Sequence, residues 1–186
     1  MRAGNTKNQT QAPGLTRPHK LTGFFALMIL FSCFCLSVAA EECDEYALLN
    51  ISVGQIGVLD DLSTDSFGLE YRFTPFTGPH DIRLIPAIGA TIASNGSHYI
   101  YAGLAYDFYI NSHWLLVPSF VLGKYKQSVE INLGNDLEFK SGIEVAYQFE
   151  NKYRAGVAFF HISNGGISES NSGTEILAFS VSIPVM

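Results

Sequence analysis

The residues best equipped for chemistry lie close together near the C-terminus: His161, Ser163, Asn164, Gly165, Gly166, Asn171 and Glu175. An imidazole, a hydroxyl and a carboxylate around a glycine-rich turn are the parts of an acyl-transfer site. A serine hydroxyl is a weak nucleophile until a neighbouring base takes its proton, and a carboxylate beyond the base fixes its tautomer. His161 and Ser163, two apart on a strand, share a face about 7 Å apart by Cα, within reach of a side-chain turn. Asn164 and the backbone N–H groups of Gly165 and Gly166 are placed to bind a developing oxyanion, each donor worth about 3 kcal/mol if well aimed.

The flanking residues say which way these groups point. Tyr153, Ala155, Val157 and Phe159 alternate with Arg154, Gly156, Ala158 and Phe160. A strand of period two therefore carries His161 and Ser163 on its apolar face. Downstream, Leu177, Phe179, Val181 and Ile183 alternate with Ile176, Ala178, Ser180 and Ser182, so Glu175 lies on an apolar face as well. A hairpin through residues 165–173 brings all three polar groups to one end of a hydrophobic surface.

The beginning of the chain has a different character. Residues 1–20 hold Arg2, Lys7, Arg17 and Lys20 without an acid, and Leu21 to Val38 is almost wholly apolar before Ala39 and Ala40. This pattern predicts a signal peptide over 1–40; a retained membrane anchor is the alternative. The leader takes four of the eleven Lys and Arg and none of the seventeen Asp and Glu, so residues 41–186 carry seven against seventeen, or −10. That balance argues against a nucleic-acid partner. Cys33 and Cys35 leave with the leader, and Cys43 alone forms no intrachain disulfide.

Residues 41–186 form one domain built from short aromatic and β-branched segments between turn residues. Eight are counted, near 46–58, 66–74, 82–93, 98–110, 113–123, 137–149, 152–164 and 174–184. An even number suits an up-and-down antiparallel barrel that crosses a membrane. The second segment opposes Phe67, Leu69, Tyr71 and Phe73 to Gly68, Glu70, Arg72 and Thr74; the sixth alternates in the same way. A soluble β-domain puts such a charged face into water. An eight-stranded transmembrane β-barrel inverts the arrangement, pairing Glu70, Arg72, Glu138, Lys140, Glu144 and Arg154 inside. The leader and the breadth of the apolar faces favour the inverted reading. Links at 76–81, 111–112 and 150–151 are read as inner turns, 124–136 and 165–173 as long outer loops, and Asn95-Gly96 as a tight hairpin. Tyr99, Tyr101, Tyr109, Trp114, Tyr125, Tyr147 and Tyr153 are expected in interfacial girdles. Alternation falters at Gln55 and through Trp114 to Val121, leaving two strands without a clear register.

The sequence His161-x-Ser163-Asn164-x-Gly166, an Asn seven residues after Asn164 and Glu175 fourteen after His161 resemble the signature of the outer-membrane lipid A 3-O-deacylases (PagL-type). The motif spans about fifteen residues; leader, mature length and strand count extend the likeness over the chain. The resemblance implies an eight-stranded barrel that removes an ester-linked acyl chain from lipopolysaccharide. By resemblance Ser163 is the nucleophile, His161 the general base and Glu175 the orienting carboxylate. Asn164, Gly165, Gly166 and Asn171 then shape the oxyanion site.

A site on the outside wall suits a lipid that arrives sideways in the outer leaflet. The expected partner is accordingly lipid A or lipopolysaccharide, with the protein embedded in the cell outer membrane as a multi-pass barrel and a homodimer as a further expectation. Lys124 and Lys126, read as part of the long outer loop, are candidate partners for lipid phosphates. No cofactor is implied, and His19, His80, His98 and His113 lack metal-ligand spacing. The competing readings are a non-catalytic barrel with a structural or adhesive role and a soluble lipid-binding barrel.

Overall fold

A computed structural model describes residues 46–77, 82–126, 133–168 and 170–185. The signal peptide read over 1–40, Cys43 and His80 lie outside the described residues. Eight long strands dominate: β1 (Ala47–Ile56), β2 (Thr64–Arg72), β3 (Arg83–Ala93), β4 (His98–Ala105), β5 (Trp114–Lys126), β6 (Leu137–Gln148), β7 (Arg154–Ser163) and β8 (Thr174–Val185). Each pairs antiparallel with its sequence neighbour, and β1 pairs with β8 from Ala47↔Val185 to Ile56↔Ile176. The sheet thus closes on itself with no free edge, so no second copy of the chain is needed to complete it.

The alternation anticipated in sequence sets the two faces of the wall. Along β7, Ala155, Val157, Phe159 and His161 are exposed while Arg154, Ala158 and Ile162 are buried. Along β8, Leu177, Phe179 and Val181 are exposed while Ile176, Ala178, Ser180 and Ser182 are buried. Exposed Val, Leu, Ile and Phe recur around the ring, at Phe67, Leu69, Ile88, Ile100, Phe120, Ile143, Val157 and Phe179 among others. An apolar band of this extent is untenable in water and is what hydrocarbon demands of a barrel wall.

The interior is filled by side chains rather than open. Toward the rim where β7 ends and β8 begins, Tyr99, Tyr101, Val121, Tyr125, Ile162 and Ile176 form an apolar cluster. Toward the other rim, Ile85, Ala105, Leu115 and Val117 form a second. Between them Arg72 joins two acids, Nε 2.7 Å from Glu70 Oε1 and a terminal nitrogen 2.7 Å from Glu144 Oε2. Ser180 donates to Glu144, and the Lys140 ammonium stands 3.6 Å from the Tyr101 ring centroid. Arg154 binds Asp107 at 2.7 Å nearer the inner end. Burying charge without partners costs several kcal/mol per ion, so this network is held by mutual satisfaction. Glu138 differs: it is fully buried, and among the described residues no cation pairs with its carboxylate.

Two sequence expectations are corrected here, and two features the sequence left open are explained. Tyr99, Tyr101 and Tyr125 are not girdle residues; their parity on β4 and β5 turns them inward, where they pack against one another. Trp114, Tyr147 and Phe149 do form an exposed aromatic cluster at the inner end. Leu115 and Val117 also face inward, which explains the broken alternation of β5: where the interior is plugged by apolar side chains, both faces of a strand are apolar. Lys124 and Lys126 belong to β5 itself, not to a loop. The inner connections are short only because Phe76–Thr77 and Phe108–Tyr109 pair back onto β3 and β5, extending two hairpins beyond their long strands.

Candidate active site

β7 and β8 run antiparallel with Glu175 directly opposite His161 and Thr174 opposite Ile162. Directly opposed residues on one face hold their Cβ atoms about 5 Å apart, close enough for an imidazole and a carboxylate to meet. They do meet: His161 Nδ1 lies 3.1 Å from Glu175 Oε1. With the proton on Nδ1, the ring donates to the carboxylate and leaves Nε2 without a proton. Both side chains belong to the outer face, 48% and 22% exposed, among Phe159, Leu177 and Phe179.

The tilt of the ring is set by Gly173. A Cβ at that position would stand 2.8 Å from His161 Cε1 and 3.3 Å from Nε2, so the edge of the imidazole rests on bare glycine backbone. Thr174 pairs with Ile162, which places Gly173 one step further on, at the level of Ser163. The free ring nitrogen therefore leans along the wall toward the serine. Ser163 itself is partly exposed at the end of β7, across from Phe139 on β6. Among the described residues it makes no hydrogen bond to the imidazole; catalytic contacts of this kind commonly close only when substrate is bound.

The turn after Ser163 is built by Asn164, whose side chain is fully buried. The two protons of its amide nitrogen are shared among three acceptors within reach, the carbonyls of Leu133 at 3.1 Å and Ser170 at 2.8 Å and Ser168 Oγ at 2.9 Å. Its Oδ1 accepts from Gly166 N at 2.9 Å. The Asn164 side chain and the Gly166 N–H are therefore committed to the loop. Asn171 accepts from the Asn164 backbone N–H at 3.1 Å through Oδ1. Gly165 N–H has no acceptor among the described residues. Gly165, Gly166 and Gly173 all adopt positive φ, at 65°, 83° and 64°, a region that residues bearing a Cβ seldom enter.

One neighbour is invisible from local sequence. Ser141 on β6 pairs with His161, so a second hydroxyl stands beside the imidazole on the side away from Glu175. Its signal was the polar residue at an outward position of β6; only the register shows what it faces. The void inside the barrel, ringed by Arg72, Lys140 and Glu144, lies on the other side of the wall. Among the described residues no group of His, Cys, Asp and Glu is arranged to hold a metal ion.

Comparison with known proteins places this wall in context. No curated protein matches the chain. A solved structure described as the outer membrane enzyme PagL superposes with a TM-score of 0.57 at 23% identity, covering 74% of this chain and 99% of that one. A designed transmembrane β-barrel superposes with a TM-score of 0.55 at 10% identity, covering 78% and 99%. At these identities both likenesses speak for the fold, an outer-membrane type of barrel. The family model described as lipid A 3-O-deacylase (PagL) matches residues 66–184, which takes in the five complete strands β3 to β7, most of β2 and β8, and all the site residues discussed above. With that match over more than half of its length, the chain belongs to the lipid A 3-O-deacylase (PagL) family.

Proposed function

We propose that this protein is a serine esterase that hydrolyses the 3-O-linked acyl chain of lipid A in the outer leaflet, through Ser163, His161 and Glu175. The observation that carries the reading is the His161–Glu175 hydrogen bond on the outward face of a membrane wall. A polar pair there costs free energy in hydrocarbon and contributes nothing to the closed sheet, so a lipid substrate is its best explanation.

In the proposed reaction, His161 Nε2 takes the Ser163 Oγ proton as Oγ attacks the ester carbonyl. The resulting imidazolium is stabilised by Glu175 through Nδ1. The oxyanion is received by the Gly165 N–H, which has no acceptor among the described residues, and by the NH2 of Asn171, whose Oδ1 is taken by the Asn164 N–H. Asn164 acts one step back, fixing the turn through its buried side chain and Asn171 through its backbone N–H. Collapse of the intermediate expels the sugar oxygen, which takes the proton from Nε2, and leaves an acyl-serine. Water, deprotonated by the same nitrogen, then attacks the acyl carbon, releasing the fatty acid and returning the proton to Ser163. No step needs a metal.

The wall also accounts for access. Substrate acyl chains lie alongside Phe159, Leu177 and Phe179 in the bilayer, so the ester reaches the serine by lateral diffusion with much of its orientation already set. Expression in an outer membrane followed by mass measurement of lipid A tests the proposal. Loss of one hydroxyacyl chain is expected, abolished by Ser163→Ala and indifferent to a chelator. Unchanged lipid A around a correctly inserted barrel would refute it and favour a structural barrel.

A further inference from the structure

On the outer face, at the same rim as His161, a second polar cluster interrupts the apolar wall. β4 and β5 pair with His98 opposite Lys126 and Ile100 opposite Lys124. These four side chains line a shallow groove with Asp136. Lys124 is 77% exposed, and its ion-pair partner among the described residues, Asp136, is 3.8 Å away and 68% exposed, so that pair is loose. The remaining described cations are placed elsewhere: Arg72, Lys140 and Arg154 are buried in the lumen, and Arg83 and Lys152 lie toward the inner end.

The position of this cluster relative to the serine follows from register. Lys124 pairs with Leu137, two residues nearer the rim than Phe139, and Phe139 pairs with Ser163. Two inter-strand steps around the wall and two residues along it separate Lys124 from Ser163, about 12 Å over the surface. In the opposite direction from the site, β1 and β2 present Gln55 bonded to Asp65, and the loop beyond carries Asp60 and Asp61. Among the described residues the rim is therefore polarised across the serine, with Asp60, Asp61 and Asp65 on one side and His98, Lys124 and Lys126, accompanied by Asp136 alone, on the other. In a domain whose formal charge is −10, two lysines on adjacent outward positions of one strand are conspicuous.

We infer that His98, Lys124 and Lys126 form an anion subsite that takes a phosphate monoester on the saccharide head group of the outer-leaflet glycolipid, orienting it over β6 so that its acyl ester meets Ser163. The inference rests on the esterase reading for its purpose, but the subsite itself is a matter of charge and position. Phosphate suits it because ammonium groups gain most from a compact, doubly charged acceptor, and a low-dielectric bilayer edge strengthens the attraction. The acids on the far side disfavour the reversed orientation.

The test uses the refolded full-length barrel in vesicles containing either phosphorylated lipid A or the same lipid stripped of its phosphates. Wild type should show kcat/KM about tenfold lower on the stripped lipid, and Lys124→Ala/Lys126→Ala should lose about tenfold on the phosphorylated lipid and nothing on the stripped one. Equal activity of variant and wild type on the phosphorylated lipid, or equal loss on both lipids, overturns the subsite. A binding arm separates this from failure of the esterase reading. With Ser163→Ala in detergent micelles, the 31P resonance of phosphorylated lipid A should broaden, and added Lys124→Ala/Lys126→Ala should abolish the broadening. If wild type cleaves neither lipid but the broadening appears and depends on the lysines, the esterase reading fails and the subsite stands; absence of broadening sinks the subsite alone. Inorganic phosphate should compete only weakly, and full competition at equal concentration would overturn the head-group assignment.

Discussion

The Cα of Gly173 lies against the edge of the His161 imidazole, where even a methyl group would come within 2.8 Å of Cε1. Gly173→Ala should therefore tilt the ring away from Ser163 and reduce kcat on the order of a hundredfold, as misplacements of about 1 Å do. Its positive φ adds a backbone cost of about 1 kcal/mol, which Gly96→Ala, with φ 87° and no atoms nearby, reproduces without the clash. Thermal unfolding of the two variants should agree while their turnover differs. Equal turnover would show that the ring is not held by this contact.

Glu175→Gln keeps the shape of the side chain and removes the charge that stabilises an imidazolium. It should lower kcat on the order of 10³-fold with little change in KM, because the lost interaction is strongest in the transition state. Steady-state kinetics on lipid-containing micelles reads this directly. A rise in KM with kcat unchanged would assign Glu175 to substrate binding.

Inside the barrel, Arg72 neutralises Glu70 and Glu144 at once. Arg72→Met strands two buried carboxylates and should destabilise by about 3–5 kcal/mol. Adding Glu70→Gln and Glu144→Gln to Arg72→Met should recover most of that loss. Urea unfolding followed by heat-modifiable gel mobility measures both.

On the outside, Val157 and Phe179 pair across β7 and β8 in the middle of the apolar band. Arginine at either position should destabilise by about 2–4 kcal/mol in a bilayer, whereas Leu59→Arg in the rim loop should cost no more than about 1 kcal/mol. Folding yield into lipid vesicles distinguishes them. Similar yields for all three would place the membrane boundary elsewhere.

The barrel and the His161–Glu175 contact were legible because both are local. Alternation reports which face a residue takes, and strands adjacent in sequence, β7 and β8, pair directly as a hairpin. What stayed hidden depends on partners distant in sequence. Nothing near Ser141 says that it faces His161, since the pairing of β6 with β7 decides it. Tyr99 and Tyr125 look like girdle residues until the parity of their strands turns them inward. Asn164 reads as an oxyanion donor because its type and place fit; its burial and the three loop acceptors around its amide nitrogen show it occupied with the loop instead. Lys124 and Lys126 follow a strand that continues further than its broken alternation suggested.

The most direct measurement of the central claim is peptide mass mapping after treatment with a long-chain fluorophosphonate, which captures an activated serine. The imidazole of His161, held by Glu175 and leaning over Gly173 toward the rim, predicts a single adduct on Ser163 that disappears in His161→Ala. An adduct on Ser141, or a Ser163 adduct that persists without His161, would contradict it.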